Sequence, residues 1–97
     1  MKKVVFYNFF HNGDIHVSRG IVKQIINKVH QLDPSIEFVY SHKNDPTLLA
    51  DIANLGYDRE ALNHVNPHDG VVVRGDTAYI NTWYDQQHQK YARQWEF

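Results

Sequence analysis

Cysteine is absent from the 97-residue chain. That excludes disulfide cross-links, thiolate zinc centres and cysteine nucleophiles. A chain without disulfides fits a reducing compartment, and a cytoplasmic location is the expectation. Proline and glycine are scarce, three and five residues, so no Pro-rich, Gly-rich or other low-complexity linker divides the sequence. No apolar run approaches the ~20 residues of a membrane helix, which argues against membrane insertion. The apolar opening soon meets Asn8, and no small-residue cleavage site follows, so it does not read as a signal peptide. Neither sign of charge dominates: ten Lys plus Arg stand against eleven Asp plus Glu. No strong field therefore directs the chain to nucleic acid or to an anionic membrane.

Several motifs are missing as well. A dinucleotide fingerprint needs three glycines, and the first loop has only Gly13. There is no Gly-Lys-Ser/Thr phosphate loop, no G-x-S-x-G nucleophile elbow and no H-E-x-x-H zinc helix. No cofactor is implied. The tripeptide Arg74-Gly75-Asp76 reads as a turn rather than an adhesion signal.

What is present is an alternation of apolar patterns. Val4 to Phe10 is almost continuously apolar, as in a strand covered on both faces. "HNGD", His11 to Asp14, follows as a turn, with Asp14 or Ser18 available to cap a helix. Ile21, Val22, Ile25, Ile26 and Val29 then recur at helical spacing, and Pro34 stops that helix. Ile36 to His42 reads as a second buried strand. Asp45, Pro46 and Gly56 suggest the cap, first turn and stop of a short helix carrying Leu48, Leu49, Ile52 and Leu55. Val71–Val73 and Ala78–Trp83 form either a hairpin about "RGDT" or two neighbouring strands. Tyr84, His88, Tyr91 and Trp95 line one face of an expected C-terminal helix.

The order strand, helix, strand, helix, two strands, helix predicts a single α/β domain over residues 1–97. It would be a three-layer, Rossmann-like partial domain with a mostly parallel sheet of about four strands and about three helices. The expected core includes Val5, Ile21, Ile25, Val29, Phe38, Val39, Leu49, Ile52, Val72 and Ile80.

In such sheets ligands collect at the carboxyl ends of the strands, where the "HNGD" loop falls. Asp14 has two readings. It is a helix cap, or it is a carboxylate at a helix start that serves as a general base. His11, His16 and His42 would meet at one sheet edge if the first two strands are parallel neighbours. Imidazoles can bind zinc or nickel, but no ligand spacing marks a metal site and none is assigned.

The run "VVFYNFFHNGDIHVSRGIVKQI" resembles the opening of GT-B glycosyltransferases, particularly the heptosyltransferase-like group. Gly13, Asp14 and Ser18 match that family's loop Gly-Asp and the small hydroxyl residue of the following helix. "DPSIEFVYSH" is similar to its second strand. The resemblance implies that Asp14 is the catalytic base toward an acceptor hydroxyl. It implies that His11, Asn12, Gly13, His16, Ser18 and His42 surround a sugar-containing ligand. A GT-B enzyme has two domains and holds the donor in the second, so the chain corresponds to part of the first and is expected to be inactive alone. The rival expectation is a non-enzymatic, self-associating α/β module, a homodimer joined through the aromatic C-terminal stripe.

Overall fold

The computed structural model describes residues 2–83. The aromatic stripe from Tyr84 to Trp95 lies outside the described residues. The elements run β1 (Lys3–Tyr7), α1 (Asn12–Val17), α2 (Arg19–Leu32), β2 (Glu37–Ser41), β3 (Leu55–Tyr57), a 3-10 helix (Arg59–His64), β4 (Val71–Arg74) and β5 (Thr77–Asn81). The sheet has five strands in the order β3-β2-β1-β5-β4. β1 is parallel to β2 and β5, β2 is parallel to β3, and only β4 is antiparallel to its neighbour. The described residues form an α/β unit with a mostly parallel sheet and three helices, a small partial Rossmann-like fold.

Register explains why β1 is apolar from Val4 to Tyr7. Val4 and Phe6 align with Phe38 and Tyr40 of β2 and with Ala78 and Ile80 of β5. Val4, Phe6, Phe38, Tyr40 and Ile80 pack under Val22, Ile25, Ile26 and Val29 of α2, the stripe that the helical spacing marked. Val5, Val39 and Tyr79 point the other way and pack on Ala61 of the 3-10 helix. Both faces of the central strand are therefore dry, as a parallel sheet requires. Of the expected core, Ile21 and Val72 are only half-buried, and the other eight residues are buried.

Three local expectations are corrected. Residues 46–54 form consecutive turns, not a helix. The Asp45 side chain accepts hydrogen bonds from the backbone N–H and the hydroxyl of Thr47. Leu48, Ala50, Ile52 and Leu55 then donate to carbonyls three residues back, which is turn bonding rather than α-helical bonding. The positive-φ position that ends this run is Asn54, at φ 68. Gly56, read from sequence as the helix stop, instead pairs with Val39 inside β3, a fifth strand that the pattern did not reveal. Finally, Ser18 makes no side-chain cap for α2. Its backbone is helical, so α1 and α2 abut there, and its hydroxyl is turned inward. The hairpin reading holds: β4 and β5 are joined at Gly75, whose φ of 61 suits glycine.

Candidate functional site

The chain leaves β1 toward β2 on one side of the sheet, while β5 lies on the other. The boundary between β1 and β5 is thus where strand order reverses, and its carboxyl end is the favoured ligand position in open α/β sheets. Two asparagines build it. Asn8, fully buried, follows β1, and its Oδ1 accepts the Phe10 backbone N–H at 2.9 Å. Asn81, almost fully buried, ends β5, and its Oδ1 accepts the Trp83 N–H at 3.0 Å. Each amide folds the chain back two residues beyond a strand. The result is that the rings of Phe10 and Trp83 stack, with centroids 4.7 Å apart and planes 20° apart. Phe10 remains 40% exposed. The Asn81 Nδ2 also donates to the carbonyls of Pro67 and Asp69, which fastens the segment before β4 to the same edge.

Beneath this aromatic pair runs a buried chain of hydroxyls. The Ser18 hydroxyl donates to the Ile15 carbonyl at 2.6 Å. Since that spends its one proton, the Tyr40 hydroxyl donates to Ser18 Oγ at 2.9 Å. The Thr82 hydroxyl then donates to Tyr40 at 2.7 Å, with the Tyr7 carbonyl as a second, longer acceptor at 3.3 Å, and Asn8 Nδ2 donates to Thr82 at 3.2 Å. Ser18 and Tyr40 each give one hydrogen bond and take one, the arrangement in which neighbouring bonds reinforce each other. The chain locks the α1–α2 junction to the ends of β1, β2 and β5. Burial pushes the Tyr40 hydroxyl up to about 12, against the hydrogen bonds that favour its ionised form.

The residues expected at the site separate into two groups. His11 is the N-cap residue of α1, and Asn12 and Gly13 open the helix; all three are exposed. Asp14 is half-exposed at the third helical position, and its Oδ2 accepts the His11 backbone N–H at 3.3 Å. It thus reaches back to the helix start rather than occupying the cap itself. His16 is exposed on the same short helix. These five share the β1 loop and its first helical turns. Ser18 and His42 do not join their surface, being 0% and 1% exposed. The His42 Nδ1 accepts the Asn44 backbone N–H at 3.1 Å. Its ring meets Tyr57 edge-on at 4.7 Å between centroids and Tyr40 at 5.6 Å. Burial lowers its pKa below the ordinary 6.5, and the Asp45 carboxylate partly opposes that shift. The β2 loop still meets the β1 loop, because Asn44 Nδ2 donates to the Phe10 carbonyl at 3.1 Å. Among the described residues no three histidines or carboxylates gather as a metal site, and no helix is long and apolar enough to cross a membrane.

Sequence reasoning marked Trp83 among the C-terminal aromatics that can stack on a sugar or anchor a partner, but it overlooked Asn8, Phe10, Asn81 and Thr82. One signal for them existed: an asparagine at the end of each apolar strand run, with an aromatic residue two positions on, in "NFF" and "NTW". No family model, curated protein or solved structure matches the chain. Fold and site together define the class: a small, mostly parallel α/β domain with a partly exposed aromatic pair and a polar loop at its strand-order reversal.

Proposed function

We propose that this edge recognises a sugar-bearing ligand, as the acceptor-side half of a glycosyltransferase-type protein. The observation that carries the reading is the Phe10–Trp83 pair, set by two buried asparagines beside the His11–Asp14 loop. Aromatic faces suit the C–H faces of a pyranose, and their cost in side-chain entropy is low. His11 and Asn12 offer exposed polar groups for hydroxyls. The partly exposed Asp14 carboxylate would accept the proton of an attacking hydroxyl, the role implied by the family resemblance. The donor would be supplied by a second domain, so the 97 residues are proposed to bind without turnover. A cytoplasmic setting belongs to the same reading.

The test is a backbone-amide NMR titration with a panel of methyl glycosides. Saturable shifts at Phe10–Asp14 and Trp83, with a Kd in the millimolar range, are expected for at least one sugar, and Phe10→Ala should remove them. A panel that moves none of these amides overturns the reading. Asp14→Ala should cost about 1 kcal/mol in chemical denaturation through loss of its bond to the helix start. Binding by that variant separates an acid–base role from a positioning one: a general base is not needed to hold the sugar.

A second reading, a self-associating module, is favoured by Val71 and Val73 on the edge strand β4, 51% and 66% exposed.

A further inference from the structure

A second site lies outside the edge just described and does not depend on its function. The turns at 46–54 arch over the junction of β2 and β3 and leave a cavity of about 210 Å³. Its walls include Tyr40, His42 and Tyr57 together with Pro46, Leu49 and Leu55. No charged side chain lines it. An engineered apolar cavity of roughly 150 Å³ accepts benzene, so this one has room for a single ring with a small substituent.

The polar atoms of the wall are almost all committed. The Tyr57 hydroxyl donates to the His42 carbonyl at 2.6 Å, and the Tyr40 hydroxyl belongs to the buried chain. His42 Nδ1 accepts from Asn44. That acceptor role places the imidazole proton on Nε2. Nε2 has no hydrogen-bond partner among the described residues. Yet no buried side-chain nitrogen or oxygen there lacks a partner, so Nε2 must touch open space. The open space that His42 borders is this cavity. The site is therefore a ring-sized, uncharged hollow with one unused N–H donor on a side chain that is otherwise 99% enclosed, 1% exposed.

We propose that this cavity binds a neutral single-ring aromatic or heteroaromatic compound that presents one hydrogen-bond acceptor to His42 Nε2. Three features select that chemistry. Rings packed edge to face favour another ring. A lone donor in an apolar wall takes one acceptor and leaves no second polar group satisfied. An ionised ligand would lose its hydration without meeting a countercharge, and the nearby Asp45 carboxylate repels an anion further. The turn of Asp45 with Thr47 sets the position of Pro46 at the rim.

Benzamide is the probe, since it is neutral, water-soluble, one ring in size and carries a carbonyl acceptor. Backbone-amide NMR of the full chain is expected to show saturable shifts centred on His42, Leu49, Gly56 and Tyr57. Benzoate, which differs mainly in its charge, should bind at least about tenfold more weakly. His42→Phe keeps a ring but removes the donor, and should weaken benzamide about fivefold, the loss of one hydrogen bond. Leu55→Trp should fill the hollow and abolish binding while the far-ultraviolet circular dichroism is retained. The proposal is overturned if benzamide causes no saturable shift, if the shifts centre away from these residues, or if benzoate binds equally well. Should either substituted chain fail to fold, the wild-type map and the benzamide–benzoate comparison decide the matter unaided.

Discussion

Tyr40 holds more of this structure than its position in a short strand suggests. Its ring packs in the apolar core near Phe6, and its hydroxyl joins Ser18 to Thr82 across three elements. Tyr40→Phe leaves the shape but removes two buried hydrogen bonds, those to Ser18 and Thr82, and should cost about 1–3 kcal/mol in urea unfolding. A loss within error would mean that Ser18 and Thr82 find other partners. His42 makes a pH prediction of definite sign. Its folded pKa lies below the unfolded 6.5, so between the two values the unfolded chain binds the proton that the native one refuses. Stability should fall as pH drops from about 6.5, and level off below the folded pKa. Protonation also removes the Nδ1 acceptor of Asn44. Asp33, Asp45 and Asp51, lowered from 3.8 by hydrogen bonds from Ser35, Thr47 and Arg19 respectively, act in a separate window. Their contribution is present above about 3.8 and fades below it as they protonate. Urea midpoints measured between pH 7.5 and pH 5 should therefore slope in the wild type and flatten in His42→Gln. Equal slopes would assign the dependence to other groups.

At the scale of elements, α2 is the principal cover of one sheet face. Ile25 is fully buried in the centre of its stripe. Ile25→Ala should lower stability by about 2–5 kcal/mol, and an unchanged denaturation midpoint would contradict the packing of that face. This stripe was legible because period-3.6 burial needs only local residues to be seen. The long apolar runs of β1 and β2 and the Gly75 turn of the hairpin were legible for the same reason. β3 was not. Its three residues contain a glycine and carry no alternation, and only pairing with Phe38, Val39 and Tyr40 makes them a strand. The turns at 46–54 keep Leu49 and Ile52 three apart and buried, so the apolar spacing matched a helix that the i to i−3 hydrogen bonds exclude. The position of the loop at Asn8–Asp14 could be read from the strand that precedes it. The aromatic pair could not, because Phe10 and Trp83 are 73 positions apart and meet only through the β1–β5 register. Nor could the inward turn of Ser18 and His42, since exposure of a polar residue depends on what packs above it.

At the scale of the whole molecule, the two ends of the sheet are unequal. β3 lies beside the turns that enclose the ring-sized cavity. β4 carries "VVVR" at the opposite edge, with Val71 and Val73 largely in solvent. These two residues pair with Ile80 and Ala78 and so share the face on which α2 packs. An apolar edge strand has unpaired backbone groups that template another strand. We propose that a second copy of the chain takes this edge: β4 against its twofold mate would give antiparallel, self-complementary pairing and would continue the sheet. A net charge of −1 raises little repulsion between copies. Light scattering over a concentration series should then show the mass climbing from 11.4 kDa toward twice that value. Val73→Lys, which places a charge on the strand edge, should hold the chain at the lower mass without loss of its far-ultraviolet signal. A wild-type mass that stays at one chain into the high micromolar range overturns the dimer. In that case Val73→Lys, at a position with no partner copy to lose, should leave the mass unchanged.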